Sequence, residues 1–131
     1  MRIQEVSKLY GLSADTLRYY ERIKLIPTVP RNAGGIRDYD EVSLQWIEFI
    51  KCMRGAGLPI EKLITYVELY QQGDETIVAR KQLLIEERDQ LLQRINELQA
   101  TLERLNGKIE RYENGNLNCK LPGFENDNAG E

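Results

Sequence analysis

Ser13-Ala14-Asp15-Thr16-Leu17-Arg18-Tyr19-Tyr20-Glu21 combines a helix start, one apolar anchor and a dense polar face. Ser13 is suited to cap a helix over about 14–23, and Asp15 favours the positive end of that helix. Upstream, Ile3, Val6 and Leu9 recur at i, i+3 and i+6 and predict a first short helix over 3–9, which Gly11 ends. Two short helices joined by a glycine turn are the pattern of a helix-turn-helix. On this reading Leu17 faces inward. Arg18 can reach a base edge bidentately or grip a phosphate, and Tyr19 and Tyr20 offer hydroxyls to phosphate. Asp15 and Glu21 would repel DNA, so each is expected to pair with an arginine or to point away. The same residues could instead simply coat a small helix.

Downstream, Pro27-Thr28-Val29-Pro30-Arg31 and Gly35-Ile36-Arg37-Asp38-Tyr39 flank Asn32-Ala33-Gly34. Prolines, β-branched residues and a Gly-Gly pair predict a short two-stranded ribbon, hence a winged helix-turn-helix. Asp40 can cap a third helix over about 41–54, with Val42, Trp46, Phe49 and Met53 on its buried face. Pro59 suits the first position of a fourth helix, about 59–71, with an apolar stripe of Ile60, Leu63, Ile64, Val67 and Tyr70. Gly73 stops it, and Asp74 can cap the next.

The fifth helix is expected over 75–113. Leu84, Leu91, Leu98, Leu105 and Tyr112 recur every seven residues, and Ile95, Leu102 and Ile109 form a second seam four residues after Leu91, Leu98 and Leu105. At ~1.5 Å per residue this helix is roughly 55 Å long, more than a domain of about 70 residues can cover on both seams. A dimeric coiled coil is therefore expected, the alternative being a helix folded back on its own domain. Arg88 and Lys81, at earlier seam positions, are expected to snorkel outward or meet acidic groups. The chain divides on this reading into a DNA-reading unit with a helical extension over 1–72, a dimerisation helix over 75–113, and a flexible tail over 114–131.

Composition limits the chemistry. The chain has 131 residues, 18 Lys+Arg, 21 Asp+Glu and no histidine. Without histidine there is no Ser–His or Cys–His catalysis, no histidine metal site and no ordinary pH switch. No phosphate loop or convergent acid cluster suggests an enzyme, and no cofactor is expected. The net charge of −3 argues against nucleic acid only as a whole-chain figure. Residues 1–60 carry 9 Lys+Arg and 7 Asp+Glu, a net of +2, and the remainder carries a net of −5. No apolar run is long enough to span a membrane, and the start lacks the apolar core of a signal peptide. Cys52 and Cys119 then read as cytoplasmic thiols rather than a disulfide framework.

Thr16-Leu17-Arg18-Tyr19-Tyr20-Glu21, then Leu25-Ile26-Pro27, Gly35-Ile36-Arg37-Asp38-Tyr39, Trp46-Ile47 and Gly57-Leu58-Pro59-Ile60 occur in the order seen in the MerR family of bacterial transcription regulators, which residues 1 to about 113 closely resemble. The resemblance implies a mainly α protein: a winged helix-turn-helix with a small β wing, and a long C-terminal helix that pairs with a second copy as an antiparallel coiled coil. It implies a homodimer on double-stranded promoter DNA, acting on RNA polymerase indirectly by bending and untwisting an overlong spacer. By this resemblance Thr16, Arg18, Tyr19 and Tyr20 act from the recognition helix and Arg37 and Tyr39 from the wing. Arg54, near the turn after the third helix, is a further phosphate candidate. Leu84, Leu91, Ile95, Leu98, Leu102, Leu105, Ile109 and Tyr112 form the dimer seam.

The effector is read from the thiols. Metal-sensing relatives use two or more cysteines, one near the start of the long helix; here Gly73-Asp74-Glu75-Thr76-Ile77-Val78-Ala79 has none, and Cys119 stands alone in the later loop position. Soft monovalent metals want paired thiolates and zinc usually four ligands, so no metal site is expected. At 100° per residue Cys52 falls about 90° from the centre of the expected buried face of the third helix, at the margin of the core. That position suits a small packing residue. However, Trp46-Ile47-Glu48-Phe49-Ile50-Lys51-Cys52-Met53-Arg54 resembles the aldehyde- and thiol-stress-responsive branch of the family, with its AdhR-like and NmlR-like regulators. That resemblance implies a sensor role for Cys52. The alternatives are a non-covalent organic ligand with Cys52 merely structural, a metal held through Cys119, and a coiled-coil adaptor without DNA specificity.

Overall fold

The computed structural model describes residues 1–115. Five helices follow in order: α1 (Ile3–Tyr10), α2 (Ala14–Arg22), α3 (Glu41–Gly55), α4 (Ile60–Gln72) and α5 (Ile77–Glu113). The chain divides into two compact units, with the boundary between Glu87 and Arg88 inside α5. Cys119 and nearly all of the expected tail lie outside the described residues.

In the first unit the caps act where the sequence places them. Ser13 accepts the Thr16 N–H at 3.0 Å, and the Asp40 carboxylate accepts the Ser43 N–H at 2.8 Å. Gly11 closes α1 in the left-handed region (φ 68°), the conformation in which glycine carries no Cβ penalty. Asp74 does not cap α5 directly. Residues Asp74–Thr76 form a 3-10 turn, and the Thr76 hydroxyl donates towards the carbonyls of Leu69 (2.6 Å) and Gly73 (2.8 Å), delaying α5 to Ile77.

The core joins α1, α2, the wing and α3–α4 through Val6, Leu17, Leu25, Val29, Ile47 and Leu63, all essentially inaccessible. Each fully buried side chain of this kind contributes about 1.5–3 kcal/mol. After α2, Lys24 turns the chain at φ 64°, and the N–H groups of Leu25 and Ile26 fold back onto the Tyr20 carbonyl. This turn sends two apolar residues inward and launches the wing from the end of α2.

The expected ribbon is reduced to a turn closed by one antiparallel bridge, Arg31 to Arg37. The Asn32 side chain accepts the N–H groups of Gly34 (2.9 Å) and Ile36 (3.1 Å) and so organises the turn itself. Pro30 has no N–H to extend the ladder.

Two apolar patterns come out rotated or shortened. Leu9 is 57% exposed, and α1 is anchored instead by Ile3, Val6 and Tyr10. On α3, Val42 is 52% exposed, while Ser43, Trp46, Ile47 and Ile50 are buried. At 100° per residue, the buried arc is rotated by roughly 80° from the expected centre.

The α5 residues from Arg88 onward expose an apolar stripe. Ile95, Leu98, Leu102, Leu105, Ile109 and Tyr112 are each 47–68% accessible, and Leu92 joins them at 53%. Leu91 and, in the first unit, Leu84 are half-buried. Arg88 meets Asp89 at 3.0 Å, in line with the expectation that it finds an acid, and Lys81 is exposed. No helix among the described residues is long and apolar enough to cross a membrane.

Candidate nucleic-acid interface

The Ser13 cap starts α2, and Leu17, fully buried, fixes its rotation. Arg18 and Tyr19 consequently face outward. Arg18 is paired with Asp15 at 3.0 Å, and the Arg22 guanidinium lies 5.3 Å from the Tyr19 ring centroid. The Arg18–Asp15 pair is exposed, and such pairs are readily exchanged for a better anion. The Thr16 hydroxyl accepts from Ser13 Oγ at 2.9 Å and is therefore part of the cap. Tyr20 is half-buried against the core; burial raises its phenol pKa, with Arg54 acting in the opposite direction.

The second acid of α2 reaches the wing. Glu21 Oε1 accepts from Arg37 Nε at 2.6 Å, and Oε2 accepts the Val29 N–H at 3.0 Å. Both acids expected to repel DNA are thus paired with arginines. Between α1, α2 and the wing lies a cleft of about 380 Å³ lined by Arg2, Arg18, Arg31 and Arg37, with Ile3 and Ile36. Arg31 and Arg2 were not anticipated from the sequence. Arg31 could have been found, since it sits opposite Arg37 across the ribbon; Arg2, on an irregular segment, carries no such signal.

Tyr39 departs from its expected place at this interface, whereas Arg54 stands at the turn where it is expected. Tyr39 is only 2% exposed and belongs to the core, so its hydroxyl cannot reach a phosphate from the wing surface. Burial pushes its phenol up, against the pull of Arg37. The wing is too short to carry Tyr39 outward: the ladder ends at the Asp38 N–H to Pro30 carbonyl bond. Arg54 is exposed, but its Nη1 donates to the Leu58 carbonyl at 2.7 Å, closing the α3–α4 turn.

Cys52 is exposed, not at the core margin. The rotation of the α3 buried arc carries it to nearly the opposite side of the helix. No group of three or more metal-ligating side chains occurs among the described residues. A separate cleft of about 320 Å³ lies between α3, α4 and the start of α5. Trp46, Phe49, Tyr66 and Tyr70 line it as an aromatic cluster, with centroids 5.0 Å apart for Trp46–Tyr70 and 5.5 Å for Phe49–Tyr66. Arg80 lies over Tyr70 and is held by Thr76 Oγ1 and the Gly73 carbonyl.

Comparison with known proteins places this geometry. Residues 1–69 match the family described as MerR HTH family regulatory protein, and residues 44–108 match the family described as MerR, DNA binding. The HTH-type transcriptional regulator AdhR of Bacillus subtilis (strain 168) is 58% identical over 93 residues, 71% of this chain and 66% of AdhR. The match thus spans just under two thirds of that relative. A crystal structure of a MerR family transcriptional regulator from Listeria monocytogenes superposes with TM-score 0.84 at 47% identity, covering 86% of each chain. HiNmlR, a MerR family regulator lacking the sensor domain, bound to promoter DNA, superposes with TM-score 0.79 at 28% identity, covering 86% of this chain and 90% of that one.

Proposed function

The chain belongs to the MerR family of helix-turn-helix transcriptional regulators, and on that premise we propose that it acts as a homodimer on double-stranded promoter DNA and answers electrophile, aldehyde or thiol stress through Cys52. The observation that carries the DNA reading is the four-arginine cleft joining α2 to the wing. A concentrated cationic surface of this kind gives binding to phosphate despite the acidic total, and two copies per dimer multiply it. Arg18 and Tyr19 are the exposed readers on α2, and Arg37 acts from the wing. Thr16, Tyr20 and Arg54 serve by holding the helix ends and turns that place them. HiNmlR, bound to promoter DNA, supports the same partner for this chain.

The apolar stripe on α5 supports the dimer, because an exposed apolar surface of that extent marks an interaction site. The paired helices set the spacing of the two readers. Distortion of the spacer between promoter elements would then act on RNA polymerase without direct contact.

Cys52 fits a sensor by its accessibility: an electrophile meets the thiol without opening the core. The similarity to AdhR supports this branch of the family. Footprinting on the promoter upstream of the chain's own coding sequence tests DNA binding, with a two-fold symmetric protected region expected. Aldehyde-challenged transcription with Cys52→Ala tests the sensor; full inducibility in that variant would sink it.

A second reading is favoured by the aromatic cleft. A non-covalent organic ligand could bind among Trp46, Phe49, Tyr66 and Tyr70, as concave aromatic pockets commonly allow. Trp46 is the single tryptophan, so its emission reports binding directly. This regulator would keep its induction in Cys52→Ala and lose it in Tyr66→Ala.

A further inference from the structure

We propose that Glu21, an acidic residue inside the DNA-facing surface, is a positioning residue that raises DNA affinity by locking the wing to the recognition helix and aiming Arg37 at a phosphate. This inference rests on the reading of that surface as the DNA interface. Glu21 sits on the last turn of α2, and its two oxygens hold both limbs of the wing: Oε2 the Val29 N–H on the entering limb at 3.0 Å, Oε1 the Arg37 Nε on the returning limb at 2.6 Å. The side chains are only 10% (Glu21) and 24% (Arg37) exposed, so solvent screens the pair much less than it screens Arg18–Asp15.

The wing needs such a tie. Its own ladder is a single bridge among the described residues, and a short two-stranded ribbon is marginal in water without further packing. The turn around Asn32 shapes the tip but does not set its angle to α2. The buried Val29 and Tyr39 and the Met1 ammonium on Asp38 anchor the base of the wing, and Glu21 adds the direct tie to α2 at the point where the helix ends.

Arginine presents its donors in a rigid planar fork, so a carboxylate on Nε fixes the direction of the terminal nitrogens. Arg37 lines the same cleft as Arg2, Arg18 and Arg31. A phosphate entering there meets a preorganised donor instead of a freely rotating side chain, which reduces the ordering cost of binding. Arg37, Glu21, Arg18 and Arg31 all lie close enough to the buried Tyr39 phenol to act on it.

The proposal opposes simple charge counting. Removing an acid from a DNA-binding face should raise affinity if net charge alone matters. Glu21→Gln removes the charge but cannot keep both bonds, because its amide nitrogen is a donor facing another donor, either Val29 N–H or Arg37 Nε–H. We expect Glu21→Gln to bind the footprinted duplex about 10- to 150-fold more weakly, the range of one lost hydrogen bond to a charged group. The slope of log affinity against log salt should also fall by about one for each wing phosphate lost. In an Arg37→Ala background, Glu21→Gln should have no further effect.

The test is fluorescence anisotropy on that duplex at several salt concentrations, with the helical content of each variant checked by circular dichroism. Equal or tighter binding by folded Glu21→Gln, with an unchanged salt slope, overturns the proposal. If Glu21→Gln fails to fold, Arg37→Lys decides. Lysine keeps the charge but cannot hold Glu21 and a phosphate together, so a similar loss is expected and unchanged binding overturns the clamp. A wild-type chain that leaves no footprint overturns the DNA reading itself.

Discussion

Lys51 donates its Nζ to the carbonyl of Tyr10, the last residue of α1. The cation thus meets one of the carbonyls that a helix leaves without an internal partner, at the negative end of the helix dipole. Through this bond α3 holds the first helix of the reader, and the residue that follows Lys51 is Cys52. A group added at Cys52 would lie one residue from a tie between α3 and the helix-turn-helix. Lys51→Ala is expected to destabilise the chain by about 0.3–1 kcal/mol, as cations at helix C-termini do. Urea unfolding followed by Trp46 emission measures it, and no shift in midpoint would show the bond to be without weight.

Cys52 is exposed on α3, so the folded chain should react with a thiol reagent as fast as an unstructured peptide does. Stopped-flow labelling in native buffer, with mass spectrometry to locate the adduct, gives the rate. Protection released only by denaturant would contradict the outward placement and weaken the sensor reading.

Tyr39 lies in the core, so removing its hydroxyl should leave DNA affinity unchanged. Among the described residues that hydroxyl is buried without a hydrogen-bond partner. Tyr39→Phe is therefore expected to be neutral or stabilising by up to about 1 kcal/mol, because an unsatisfied buried polar group is lost. Tyr39→Ala should cost about 3–5 kcal/mol, as large aromatic truncations do. Thermal unfolding together with anisotropy separates these outcomes from a direct phosphate contact, which Tyr39→Phe would impair.

Asp40 caps α3, and the Ser43 N–H holds its carboxyl below the usual carboxylate range. Since the folded value is the lower one, the stabilisation is present above the unfolded pKa and is lost as pH falls through the folded one. Asp40→Ala should cost about 1 kcal/mol at neutral pH, and Asp40→Asn much less, since asparagine also caps. Denaturant midpoints across the acid range should show that Asp40→Asn loses the pH-dependent part while keeping the cap.

Leu98 and Leu102 stand on the exposed stripe of α5, 68% and 47% accessible. Placing a charge in a coiled-coil seam buries it without a partner, which is strongly unfavourable. The double variant Leu98→Glu/Leu102→Glu should sediment as a monomer and bind the duplex far more weakly, because the second reader is lost. A dimer mass for this variant would remove the stripe from the interface.

The chain order of residue types was sufficient for the helices and for most of their ends, the start of α5 being the exception because the 3-10 turn Asp74–Thr76 moves it to Ile77. Ser13, Asp40, Gly11 and Gly73 act through local hydrogen bonds and backbone angles, which depend on a few neighbouring residues. The pairing of Asp15 and Glu21 with arginines was legible too, since an acid among arginines has few better partners. So was the apolar stripe on α5, because seven-residue spacing is a property of one helix by itself.

Only the tertiary structure decided what faces where. Periodicity identifies an apolar arc on α3, but the packing of α1, α2 and α4 chooses its centre, and that choice buries Ile47 and Ile50 and turns Cys52 to solvent. Only Tyr39 and Asp40 lie between the ladder and α3, too few to carry a period, so nothing local shows that the ladder stops at Asp38 and that Tyr39 turns inward. The gathering of Arg2, Arg18, Arg31 and Arg37 around one cleft likewise joins segments far apart in the chain. Local rules end at the reach of a hydrogen bond along the backbone; burial and charge clustering are set by which distant segments meet.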